Sequence, residues 1–321
     1  MDVRHIRLRF DSGADRGAIQ GDSMNDLLPR LAEARADFLA AIKNSILWVK
    51  PASRLKPAIT GRLGSHVEGA VSVADVDNAS SIAIAWEWAS RLPGAFAATE
   101  PAQDSGKLFQ FAVRDFLERG CQLGADIRPG NWHWKTEYGI ANFDQYAHMN
   151  EIRAALEANK ELRTIFSEVF VVKPDIVIYR SPIRGVDVGR QEGVPVGTFS
   201  PLLDDAQLGH GHPLLHASVS CKITMRSDRA QNTRTEALNL LRNRKGRAPS
   251  IVAVTAEPLP TRLSSLALGT GDVDFVYHAA LPELREALSA VGNEDQLDML
   301  NTIVQGRRLR DISDLVLDLL I

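Results

Sequence analysis

Ser218-Val-Ser-Cys-Lys222-Ile-Thr-Met-Arg226-Ser-Asp228-Arg229 is an apolar run that ends in a lysine and breaks into a charged turn. Small and apolar residues alternate across its first half, which predicts a strand over His216–Thr224. The pattern then becomes helical, and a helix is expected over Ala230–Arg244. Upstream, Pro174-Asp175-Ile-Val-Ile places a carboxylate at the start of a second apolar strand, within Val169–Tyr179. Downstream, Glu236 falls in the predicted helix and offers a second carboxylate.

These residue types suit phosphate chemistry. Hydrolysis of a phosphodiester needs a divalent cation held by carboxylates, an attacking water, and positive charge where the phosphorane develops negative charge. Asp175 and Glu236, with the backbone carbonyl of Cys221, offer oxygen ligands to Mg²⁺, and Lys222 can orient water or stabilise the transition state. The Arg226-Ser-Asp-Arg229 tetrad has a different chemistry. Arginine donates two hydrogen bonds to guanine O6 and N7, and aspartate accepts one from cytosine N4. A helix N-terminus capped by Ser227 or Asp228 explains the same residues, and the two readings are compatible.

Working outward, helices are expected over Leu27–Ile46, Ala79–Leu92, Leu108–Gln122, Phe143–Leu162, Leu281–Val291 and Asp295–Gln305. Strands are expected over Val3–Phe10, Ser250–Ala256 and Val273–Tyr277. Lys50–Asp77 reads as irregular, Asp126–Trp134 as a turn, and Ser181–Pro213 as a long polar excursion. No repeat or linker divides the chain, so residues 1–321 are expected to form one α/β domain with a helical N-terminal portion.

The bulk composition narrows the class. With 321 residues and 45% hydrophobic content, the chain can bury a large core. Its net charge is only -3, yet Lys222–Arg247 holds eight Lys/Arg against Asp228 and Glu236. That local excess is the electrostatic footprint of a polyanion such as nucleic acid, or simply a solvated helix face. The two cysteines, Cys121 and Cys221, make no disulfide framework, and no apolar leader or spanning run is present. A cytoplasmic protein is therefore expected. His210, His212 and His216 lack a fourth zinc ligand, and Gly269-Thr-Gly271 is too short for a phosphate loop.

The tetrad and its surroundings resemble type II restriction endonucleases of the NgoMIV family, which cut around a CCGG core. Leu214–Lys222, Arg226–Asn232, Leu241–Arg247, Val254–Pro258, Ala267–Gly271 and Gly306–Asp314 carry the resemblance, with patchier matches from Ser72 through Asp126–Gly130 and Gln145–His148. The first fifty or so residues show little that matches. The resemblance implies a PD-(D/E)XK α/β core, a mixed sheet flanked by helices. It implies Asp175 and Glu236 as metal-binding acids and Lys222 as the catalytic lysine. Arg226, Asp228 and Arg229 match the core-reading residues, Arg262 and Asp75 the readers of an outer G·C pair, and Gln103 a minor-groove contact. The expected site is then GCCGGC, cut before CCGG to leave a four-base 5′ overhang. A homotetramer, double-stranded DNA, Mg²⁺ and a cognate DNA methyltransferase complete the expectation.

Two positions depart from the family. Gln110 falls where the family has a glutamate of the acidic cluster, and Asp77 where it has a small polar residue. A natural relaxation of the site, an engineered inactive form, or a shifted alignment would each account for Gln110. A cleavage-impaired DNA-binding protein is the corresponding alternative function.

Overall fold

The structure is a computed structural model and describes residues 26–59, 69–159, 161, 172–184, 189, 200, 202–204, 211–269 and 271–321. Its helices are α1 (Leu27–Ser45), α2 (Ala79–Arg91), α3 (Ser105–Leu123), α4 (His148–Ala158), α5 (Ser227–Asn243), α6 (Pro260–Ala267), α7 (Leu281–Val291), α8 (Glu294–Gln305) and α9 (Ile312–Leu320). Two small pairs lie apart from the main sheet: β1 (Val49–Pro51) with β2 (Gly69–Val71), and β5 (Ile183–Arg184) with β6 (Leu203–Asp204). The main sheet holds β3 (Trp132–Thr136), β4 (Ile176–Arg180), β7 (Leu214–Lys222), β8 (Ser250–Thr255), β9 (Phe275–His278) and β10 (Leu309–Asp311).

Its strand order is β10-β9-β8-β7-β4-β3. From β10 to β7 the strands run parallel, whereas β4 is antiparallel to both β7 and β3. The sheet is thus mixed, as expected, and helices flank it: α3 packs on β3 and β7, while α1 and α9 pack on α3. A purely parallel sheet would put all strand starts at one edge. Here the reversal at β4 brings its start beside the end of β7, with Ile176 opposite Val219. Two strand ends far apart in sequence therefore share one edge.

The core runs through the sheet and its helices, and Trp88, Tyr146, Tyr277, Phe109 and Phe143 are among its largest fully buried side chains. Gln145 is buried and uses both ends of its amide on the Leu215 backbone, donating from Nε2 at 2.7 Å and accepting at Oε1 at 3.1 Å. It extends the hydrogen bonding of β7 beside the register shift that leaves His216 unpaired with β4. Among the described residues no helix is long and apolar enough to cross a membrane.

Several expectations need correction. The expected helix over Phe143–Leu162 begins at His148, because Asp144 N–H bonds the Pro213 carbonyl and holds two short 3₁₀ turns ahead of it. Trp132–Thr136 is a strand, not part of a turn, and Lys173-Pro-Asp precedes β4 rather than interrupting it. Ser227 and Asp228 already lie inside α5, whose N-cap is Arg226, with no capping side chain. The expected strand over Val3–Phe10 and His210 lie outside the described residues.

Two buried imidazoles make stability pH-dependent. His216 and His278 are both held down to about 4, chiefly because burial disfavours the charged ring. Unfolded, they protonate near 6.5, so their stabilisation is full above that pH and is lost as pH falls toward 4. Glu257, pushed up to about 7 by burial, acts in the opposite sense and loses stability as pH rises from 4.5 toward 7. His216→Gln retains an N–H for the Leu319 carbonyl and removes one titration. Its unfolding free energy should fall less steeply than the parent's between pH 6.5 and 4, by up to about 1.4 kcal/mol per pH unit. Identical slopes in urea titrations would rule out His216 as a contributor.

Candidate active site

Strand pairing alone assembles the first part of the site. Asp175 precedes β4, and Cys221 and Lys222 end β7, so the antiparallel register sets them side by side. One carboxylate oxygen, Asp175 Oδ2, accepts from the Cys221 backbone N–H at 2.7 Å and from Lys222 Nζ at 2.8 Å. Asp175 and Lys222 are both half-buried, with side-chain exposures of 24% and 23%, so the pair is shielded but reachable. Burial opposes the Lys222 charge, yet Asp175 and then Glu236 hold its pKa above the ordinary lysine value.

Glu236 arrives from α5. Buried Thr233 shares a 3.2 Å hydrogen bond with Ser220 on β7, which pins the helix to the strand. Three residues on, Glu236 falls on the same helix face. Burial raises its carboxyl, Lys222 pulls it down, and negative Asp175 adds to the rise. The net upward shift is set first by burial, and a cation bound beside both acids would favour their charged forms. The third contributor is Gln110, buried on α3, whose Nε2 donates to the Asp175 backbone carbonyl. Gln110 therefore sits at the same edge as Asp175.

The donor set suits a hard cation. Asp175 and Glu236 bring carboxylate oxygens, and Gln110 and Cys221 add amide and carbonyl oxygens of the same class. Among the described residues no cluster of three His, Cys, Asp or Glu side chains forms. The Cys221 thiol is fully buried and its pKa is raised well above the ordinary value, chiefly by burial, so it is no nucleophile.

The charged turn follows immediately. Arg226, Ser227, Asp228 and Arg229 are all exposed at the start of α5. Arg229 Nη1 folds back to donate to the Thr224 carbonyl at 3.2 Å and to its hydroxyl at 2.5 Å. A second charged pair lies beside the turn: Arg262, in the first turn of α6, bonds Asp75, which follows β2. Burial would raise the Asp75 carboxyl, but the Asp77 N–H, Arg262 and then Arg226 bring it below its ordinary value. Arg226 is thus within electrostatic reach of Asp75, which joins the two groups. Gln103 is exposed ahead of α3 and, among the described residues, shares no hydrogen bond or ion pair with them. Glu257, which no catalytic motif in the sequence marks, lies fully buried between the two charged groups.

An Asp–Lys pair at the edge of a mixed sheet, with a nearby acid and a cation-rich turn, suits hydrolysis of a phosphodiester in a polyanion. The chain belongs to the NgoMIV restriction enzyme family, whose model matches residues 60–321. It is 43% identical over 267 residues to the type II restriction enzyme NgoMIV of Neisseria gonorrhoeae, covering 80% of this chain and 92% of that protein. A structure search also returns the restriction endonuclease PspGI in complex with substrate DNA, at 14% identity and a TM-score of 0.32, over 67% of this chain and 60% of that one. The chain is a type II restriction endonuclease, a site-specific deoxyribonuclease acting on double-stranded DNA.

The pin between α5 and β7 can be tested by itself. Thr233→Val is isosteric and removes the Ser220 partner at a cost of about 1 kcal/mol in urea unfolding. Cleavage should fall further than that loss of stability explains, because Glu236 rides on the same helix. Unchanged turnover by a well-folded Thr233→Val protein would show that the pin does not set the position of Glu236.

Proposed function

We propose that this enzyme cuts duplex DNA at GCCGGC, before the CCGG core, leaving a four-base 5′ overhang. The observation that carries this reading is the Asp175–Lys222 pair placed four residues from the exposed Arg226-Ser-Asp-Arg229 turn. Arg226 and Arg229 donate to guanine edges of the core and Asp228 accepts from cytosine. Arg262 and Asp75 form a donor–acceptor couple suited to one outer G·C pair, and Gln103 contacts the minor groove.

Asp175, Glu236 and the Cys221 carbonyl would hold Mg²⁺, which supplies Lewis-acid stabilisation of the phosphate and a more acidic water. Lys222 remains protonated and donates a hydrogen bond to the attacking water or to a nonbridging phosphate oxygen. The Cys221 N–H and Lys222 together fix the orientation of the Asp175 carboxylate. The family supports a homotetramer that engages two DNA sites, a cytoplasmic setting, and a companion methyltransferase that protects the same sequence.

Because reader and lysine share one short segment, a wrong base disturbs the lysine as well as binding. Arg226→Ala should therefore lower cleavage at GCCGGC by at least about tenfold and flatten the preference over related sites. Full-rate cutting at GCCGGC with relaxed preference elsewhere would contradict the coupling. Lys222→Met should abolish cutting while a gel shift with GCCGGC persists.

A second reading rests on Gln110, whose neutral amide meets the Asp175 carbonyl and which the family resemblance aligns with an acid. On that reading the protein binds its site and cuts slowly. Gln110→Glu should then raise the Mg²⁺-dependent cleavage rate by about tenfold or more, with metal-free DNA affinity little changed. A parent protein that already converts supercoiled plasmid rapidly to discrete fragments, with no gain on substitution, removes this reading.

A further inference from the structure

Glu257 follows β8 and is 0% exposed, a rare condition for a carboxylate that neither sits among the catalytic groups nor forms a close ion pair. Its partners explain the burial. Oε2 accepts from the Met225 backbone N–H at 2.7 Å, and Oε1 accepts from the Leu259 backbone N–H at 3.1 Å. Met225 immediately precedes Arg226 in the charged turn, and Leu259 is the N-cap of α6, which carries Arg262. Arg262 Nη1 lies 3.9 Å from Oε2 while its Nη2 bonds Asp75. One carboxylate thus holds the backbone leading into each charged group and touches the field of the second.

Its own position is over-determined. The Glu257 N–H donates to Thr255 Oγ1 at 3.2 Å, and that hydroxyl donates to the Ile223 carbonyl at 3.3 Å. Ala256 N–H donates to the same carbonyl at 3.0 Å. Below, His278 accepts from Ala280 N–H at Nδ1, at 3.1 Å, which leaves Nε2 protonated to donate to the Glu257 carbonyl at 3.2 Å. The segments 223–225 and 255–259 are therefore laced together, with Glu257 at the centre.

We infer that Glu257 is a positioning residue for sequence discrimination, coupling the segment that carries Arg226 to the helix that carries Arg262, so that core and outer base pairs are read as one unit. This rests on the reading under Proposed function that Arg226 and Arg262 contact bases. Ionised, above its raised pKa of about 7, the carboxylate accepts from both backbone donors. Glutamine keeps the shape but presents an NH₂ to one of them, and it lacks the charge that faces Arg262.

The test uses the full-length protein and three DNA duplexes: GCCGGC, the same site altered at the outer pair, and the same site altered at one core pair. Two selectivity ratios are measured, each the cleavage rate at GCCGGC over that at an altered site. A Glu257→Gln protein with a near-parental melting temperature should lose about tenfold or more in both ratios, the scale of one lost base contact. Combined with Arg262→Ala, it should lower the outer ratio no further than Arg262→Ala alone. A uniform fall in rate on all three duplexes, with both ratios intact, overturns the inference and leaves Glu257 a structural residue only. Should Glu257→Gln fail to fold, Arg262→Ala decides: a reduced core ratio supports the coupling, and an intact core ratio overturns it. If Arg226→Ala and Arg262→Ala both keep parental ratios, the base-reading assignment fails instead.

Discussion

The structure turns on one carboxylate oxygen. Asp175 Oδ2 receives the Cys221 N–H and the Lys222 ammonium together, at the only edge where the antiparallel β4 meets the end of β7 among the described strands. The hydrogen bond to a backbone N–H fixes the carboxylate against β7, so the lysine next in the chain meets it without a search through rotamers. Everything else is placed from that junction. β7 continues straight into the charged turn, and α5 returns along β7 through the Ser220–Thr233 bond. A shift of one residue in the β4–β7 register would move Asp175 away from Cys221 and put alternate side chains on the wrong face.

Much of this was legible in the sequence because the informative elements are long and buried. β7, α5 and β8 appear with ends within a few residues of those expected, since their apolar residues recur with the period of their own backbone. Legibility failed where tertiary contacts outrank local pattern. β3 is an edge strand of half-buried residues, Trp132-His-Trp-Lys-Thr136, bounded by Gly and Asn that read as a turn. The start of α4 is delayed by a backbone bond to Pro213, which no local signal announces. α6, β10 and α9 are short, and the apolar run Leu315–Leu320 fits a buried helix or a strand equally well. Within the site, Asp175, Lys222, Glu236 and Gln110 do converge, whereas Gln103 joins no shared contact. Glu257 was invisible because an acid between an apolar strand and a proline reads as an exposed loop charge.

Electrostatics resolves an apparent conflict in composition. A chain with net charge -3 has no general attraction for DNA, so recognition must depend on where the charges stand. The structure pairs many arginines away from the charged turn, as with Arg35 between Glu283 and Asp311, or Arg310 with Asp318. Arg226 and Arg229 instead remain exposed at a helix start, where exposed backbone N–H groups add positive potential. Arg262 is held differently, by Asp75. On the proposed reading that pair must be partly given up when bases arrive, so only a G·C pair that offers both an acceptor and a donor compensates it. A base pair that satisfies one partner leaves the other desolvated and unpaired, and the penalty itself discriminates.

On the proposed alignment with a family glutamate, Gln110 alters chemistry without altering shape. A glutamate at this position would set a carboxylate against the Asp175 carbonyl oxygen, an arrangement that repels unless a cation lies between them. The amide removes that repulsion and donates to the same oxygen. It thereby anchors the strand start that carries Asp175, and it does so whether or not metal is bound. The proposed metal site keeps Asp175 and Glu236, whose carboxyl is raised chiefly by burial and further by negative Asp175. With one fewer negative charge at the edge, a cation is drawn in less strongly, while the Asp175–Lys222 pair stands preformed. On that proposed reading the amide shifts the burden of organisation from the metal to the protein, and its effect falls on metal dependence rather than on fold or base recognition.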